Sequence, residues 1–182
     1  MVLWRDGNAA VGVFKRTVLY NQKDIDNGLG ELLMKSGCPG VKKYIISEIY
    51  ADGYERTAIV KEMHGDAKYI VHFLEYDEYL EKDGEALKRK TGDILEGTVS
   101  IDLVNISKRV NRDLMHRQVI KKSSHIEAIV EVSQVIDDCS VYAFSSIQKD
   151  KILIEFEDAV DYMEGDRIFI EGSLEINETE HS

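Results

Sequence analysis

Proline and tryptophan each occur once in the 182 residues, and cysteine twice. Two cysteines in unlike contexts, Cys38 and Cys139, are too few for a disulfide framework, so a reducing cytosol is the expected setting. That setting makes the sequons Asn105-Ile-Ser107 and Asn177-Glu-Thr179 irrelevant to glycosylation. No apolar run approaches the roughly 18 residues of a membrane-spanning helix. The opening "MVLWRDGNAAVGVF" has no basic region leading into a long apolar block, as a secretory signal requires. The expected product is a soluble cytoplasmic protein. An apolar fraction of 43% with one proline also excludes a disordered chain.

Catalytic and cofactor signatures are equally scarce. "GLGELL" at 28–33 is half a dinucleotide fingerprint, without its third glycine or a buried strand before it. "DIDNG" from Asp24 resembles a calcium loop, but its glycine falls one place early and position twelve is Lys35. His64, His72, His116, His125 and His181 lack paired metal-ligand spacing, and neither cysteine has a neighbour to share a metal. His72 sits in an apolar run, where a hydrogen-bonded structural histidine is the expected role. Ser123-Ser124-His125 offers a Ser/His pair without a nucleophile elbow or an orienting acid. No catalytic residue, metal or cofactor is expected, and the chain reads as non-enzymatic.

Charge is abundant and unevenly placed. The net charge is −11, and residues 155–182 hold ten carboxylates against the single cation Arg167. A second acidic stretch, "EYDEYLEKDGE" at 75–85, has six carboxylates and one lysine. Nine cations gather between Lys88 and Lys122, facing four acids. Solvated faces that pair internally explain such blocks as simply as function does. A focused negative face, however, steers basic partners and repels phosphates.

The hydrophobic pattern gives an α+β chain, predominantly β. "VGVFKRTVLY" (11–20) reads as a strand. A helix is expected from an Asn21 cap through Ile25, Leu29, Leu32 and Leu33, ending at Gly37 and Pro39. Its interior Gly28 and Gly30 each cost roughly 1 kcal/mol relative to alanine. A three-strand meander follows, with Asp52-Gly53 and Gly65-Asp66 as turns. The charged stretch 77–90 marks a soft boundary between an N-terminal half, 1–88, and a C-terminal half, 89–182, built either as two units or around one shared core.

In the C-terminal half the expected strands are 93–104, 125–136, 139–147, 151–157 and 166–176, with a basic insertion after the first. A small OB-like five-stranded barrel is the nearest architecture. Two of these strands echo each other. "GDILEG" at 92–97 and "GDRIFIEG" at 165–172 each open on a Gly-Asp turn and end in Glu-Gly. The spacing differs by two residues, so they read as two strands obeying one rule and not as a duplicated site. The inner glycines are expected where strands bend or bulge.

The segments "GDILEGTVSIDLV", "SSHIEAIVEVSQVIDD", "ILIEFE" and "GDRIFIEGSLEI" resemble the immunity proteins of bacterial contact-dependent growth inhibition and related polymorphic toxin systems. The resemblance implies a protein that binds one cognate toxin, often a basic nuclease, and occludes its active site. The expected partner-binding residues are Asp158, Asp161, Glu164 and Asp166 before the last strand, with Glu75, Asp77, Glu78 and Glu81 as a second patch. The alternative is a nucleic-acid-binding module using the basic insertion 108–122. The barrel half supplies few aromatics for such a surface, and its last strands are acidic.

Overall fold

A computed structural model describes residues 39–75 and 89–179. In chain order they form β1 (Lys42–Asp52), β2 (Glu55–Glu62), β3 (Lys68–Leu74), β4 (Ile94–Arg109), β5 (Met115–Arg117), β6 (His125–Val135), β7 (Ser140–Phe144), β8 (Ile152–Phe156) and β9 (Arg167–Glu178). The first three are the expected meander. Asp52 pairs with Glu55 across a two-residue turn in which Gly53 takes a φ of 59°, a conformation that costs glycine nothing. In β3 the apolar positions alternate strictly, burying Tyr69, Val71 and Phe73.

All nine strands join one mixed sheet, in the order β1-β2-β3-β9-β4-β8-β7-β6-β5, with β1–β4 and β9–β6 pairings as well. The pairings close two circuits that share β4 and β9, one through β1, β2 and β3 and the other through β8, β7 and β6. One hydrophobic cluster spans both, from Tyr44, Ile46 and Val71 to Ile101, Ile154, Ile170 and Leu174. Each such large aliphatic side chain contributes about 1.5–3 kcal/mol on burial.

This arrangement overturns the expected α+β fold with an N-terminal helix and a small OB-like five-stranded barrel. Among the described residues there is no helix, and the five expected C-terminal strands are part of the nine-stranded sheet. The expected strand at 11–20 and helix at 21–35 lie outside the described residues. The physical reason for the correction is the length of β4. It spans 16 residues and pairs with β1 near its start, β9 along most of its course and β8, in parallel, in between. A strand that long serves both circuits and cannot be confined to a small barrel.

The echoed segments are the two sides of one antiparallel ladder. Gly97 pairs with Glu178, and Ile101 with Leu174. A Cβ on Gly97 would lie 2.3 Å from the Asn177 carbonyl oxygen, and one on Gly172 would lie 2.7 Å from that of Asp102. Both glycines therefore mark close backbone contact between β4 and β9. Gly172 also stands opposite the expected irregularity, a break in register of β4 between Asp102 and Ile106.

Candidate functional site

The loop between β8 and β9, residues 157–166, carries four of the expected partner-binding carboxylates, and Arg109 at the end of β4 organises it. Arg109 donates from Nε to Asp166 Oδ2 (2.9 Å), from Nη1 to Asp161 Oδ1 (3.2 Å) and from Nη2 to the Asp161 carbonyl (2.7 Å). Its guanidinium also lies 5.0 Å from the ring centre of Tyr162, whose hydroxyl donates to Ser107 Oγ at 2.8 Å. Asp166 closes the turn by accepting from the Met163 N–H at 2.9 Å. That bond, with Arg109 second, holds its carboxyl below the usual aspartate range.

Two of the four carboxylates, Asp161 and Asp166, thus share the single charge of Arg109 within the molecule, while Asp158 and Glu164 point to solvent together with Glu157. None of these three pairs with a cation among the described residues. The β6–β7 turn extends the surface: the Val160 N–H donates to the Asp138 carbonyl (2.7 Å), and the Phe156 N–H to that of Cys139 (2.8 Å). Partial burial first, then Asp138 and Asp137, push the Cys139 thiol up, and Asp158 adds to the effect. Exposed Met163 (67%), Ile136 (44%) and Val135 (41%) give this acidic end an apolar component.

Removal of the Arg109 clamp has a direct readout. Arg109→Ala is expected to free the loop, so a glutamate-specific protease should cut after Glu157 or Glu164 about tenfold faster at unchanged global stability. Equal cutting rates would show that the clamp does not order the loop.

The second expected patch does not form as read. Glu75 is 5% exposed and lies between two arginines, accepting from Arg56 Nε at 2.8 Å and meeting Arg89 Nε at 3.1 Å. Arg56, also buried, donates from Nη1 to the Gly53 and Glu55 carbonyls, and Arg89 reaches Glu178 at 2.6 Å. Glu75 is a structural carboxylate, and a sealed ion pair offers nothing to a partner. Asp77, Glu78 and Glu81 lie outside the described residues.

The basic insertion is also largely engaged. Besides Arg109, Arg117 donates to Glu127, Lys108 lies 5.2 Å above Phe169 and Lys122 4.2 Å above Tyr50. Gln118 bonds both backbone groups of Ile70, accepting from its N–H at 2.8 Å and donating to its carbonyl at 2.6 Å. Burial pushes the His116 imidazole below the usual histidine range, and its Nδ1 bonds Ser146 Oγ at 2.8 Å.

Beside the break in β4 lies a cleft of about 420 Å³, lined in part by Leu103, Ser124, His125, Glu171 and Ser173. It does not assemble the Ser/His relay. Ser123 Oγ accepts from the His125 backbone N–H, Ser124 Oγ bonds Ser173 Oγ, and the His125 ring stands 4.0 Å from Glu171. Among the described residues no three His, Cys, Asp or Glu side chains are grouped to hold a metal ion.

Under the sheet, between β3, β4 and β9, runs a polar lane that the sequence reading missed. Asp102 and Glu175 are both buried, and Asn177 Nδ2 donates to Ser100 Oγ at 2.9 Å. His72 is placed 3.4 Å from Glu175 and 3.4 Å from Glu55. Burial, and then the Glu175 charge, push the Asp102 carboxyl up to about 7. The available signal was the echo itself: "SID" at 100–102 and "SLE" at 173–175 each put a serine and an acid on one face of an apolar strand. No protein-family model matches the chain, and comparison with curated proteins and with solved structures finds no match either.

Proposed function

We propose that this is a non-enzymatic binding protein that neutralises a basic toxin domain by covering its active site with the acidic end of the sheet. The observation that carries the reading is the Arg109 clamp. It spends two carboxylates on ordering the loop and leaves Glu157, Asp158 and Glu164 projecting beside Met163. A pre-ordered loop avoids much of the entropy cost of binding. Unpaired carboxylates attract a phosphate-binding groove at long range, and an exposed methionine gives the contact an adaptable apolar centre.

The test is a binding titration against the product of the gene immediately upstream, over a series of salt concentrations. Charge reversal at Glu157, Asp158 and Glu164 together should slow association by about 10- to 100-fold at low salt and flatten the salt dependence. Unchanged association in the triple variant would refute the reading. Retention of single-stranded DNA or RNA by the unmodified protein, lost on reversal of Arg112 and Lys121, would replace it with the nucleic-acid alternative.

A further inference from the structure

β4 leaves its ladder with β9 after Asp102 and rejoins it at Ile106. Inside that gap Leu103 takes a φ of 55°, the left-handed region that a bulky L residue avoids. The same leucine is 60% exposed, Ile106 is exposed as well, and neither belongs to the hydrophobic cluster. Strained backbone of this kind gathers at binding sites, where a ligand makes use of it.

Leu103 and Ile106 both line the cleft of about 420 Å³, whose other walls are polar. Its serine hydroxyls are engaged, Ser123 with the His125 N–H and Ser124 with Ser173. Its carboxylate is not. Glu171 stands directly opposite Glu127 across β9 and β6, where two like charges repel. Arg117 answers Glu127, donating from Nε at 2.8 Å. Glu171 has only the His125 ring, 4.0 Å away, and among the described residues no Lys or Arg pairs with it. Lys108, two residues along β4 from Ile106, lies over Phe169 instead.

We propose that this cleft receives one arginine or lysine side chain of the basic partner, its methylene stem on Leu103 and Ile106 and its charged head on Glu171. An anionic group would meet the charge of Glu171, and a purely apolar one would cover that carboxylate without pairing it. On the reading of this chain as the binder of a basic protein, on which this assignment rests, the cleft anchors the contact and the acidic loop steers it. The two are contiguous, because the Val104 carbonyl, next to Leu103, accepts from the Glu157 N–H at 3.0 Å.

Titration of the full chain with Nα-acetyl-arginine amide, a blocked arginine with no free amine or carboxylate, tests the cleft without the partner. Backbone amide resonances of 103–106, 123–125 and 171–173 should shift saturably, with a dissociation constant on the order of millimolar. Glu171→Gln should weaken that binding about tenfold or more. Leu103→Gly should weaken it about threefold, and since glycine suits a φ of 55° that variant keeps its fold. The absence of saturable shifts, equal binding of the uncharged norleucine analogue, or unchanged binding in Glu171→Gln overturns the assignment.

The partner titration separates this site from the acidic loop. There Glu171→Gln should speed dissociation about tenfold and leave association and its salt dependence unchanged, as expected of an anchor and not of a steering charge. Arginine binding in the cleft with unchanged association of the Glu157, Asp158 and Glu164 triple variant would keep the cleft and refute the loop. Slowed association in that variant, with no arginine binding in the cleft, would do the reverse.

Discussion

Glu75→Ala is expected to lower the unfolding free energy by about 3–5 kcal/mol, the cost of stripping a buried ion pair of one partner. The loss arises because Arg56, 3% exposed, keeps its buried charge without the Glu75 carboxylate, while its Nη1 stays bonded to the Gly53 and Glu55 carbonyls. Arg89 loses its Nε contact but retains Glu178 at the edge of the network, so the damage centres on Arg56. Urea unfolding followed by far-UV circular dichroism reads this as a lower midpoint at constant slope. The double variant Arg56→Met with Glu75→Leu should recover most of the loss, since two apolar chains of similar volume remove both charges at once. A single-variant loss below about 1 kcal/mol would place the pair in effectively aqueous surroundings. The same variant separates stability from binding, because a buried Glu75 predicts unchanged partner affinity wherever the protein remains folded.

The second large effect concerns Gly97. Alanine there puts a Cβ 2.3 Å from the Asn177 carbonyl oxygen and 2.9 Å from Ile176 Cγ2, and neither lies at the end of a flexible side chain. Relief requires β4 and β9 to separate at the ladder both circuits share. The expected cost is about 3 kcal/mol or more, at or beyond the upper end for overpacking. Gly172→Ala, whose nearest contact is 2.7 Å from the Asp102 carbonyl, should cost somewhat less. Gly53→Ala meets nothing within 4 Å and carries only the strain of its positive φ, about 1 kcal/mol. Thermal melts of the three variants check the order. A Gly97→Ala protein as stable as Gly53→Ala would mean that β4 and β9 are less closely apposed than this.

What could be read before folding was local. Alternation, together with Asp52-Gly53 and Gly65-Asp66, placed β1, β2 and β3, because a hairpin declares itself within a few residues. The parallel match of β4 to β8 and the lone His72–Glu175 pair had no such mark, since they join residues about 50 and 100 positions apart. The same distance hid the charge pairing. Glu75 appeared to begin an acidic surface because Arg56 and Arg89 lie outside the run that contains it. Arg109 appeared to belong to a basic patch because Asp161 and Asp166 are more than 50 residues away. The Glu-Gly echo was visible, but that its two copies face each other is a fact of three dimensions. His72, read as a hydrogen-bonding strand histidine, does stand between two carboxylates.

β9 is the last of the described strands in chain order, yet both circuits need it, one to join β3 with β4 and the other to join β6 with β4. During synthesis, then, neither half of this sheet can close while the chain is still short of Arg167. The hairpins made earlier must wait, with their apolar faces and edges uncovered, for a segment translated after all of them. In a cell this is a sheet whose exposure to chaperones and proteases is set by the arrival of β9, and whose two circuits acquire their stability in a single late event.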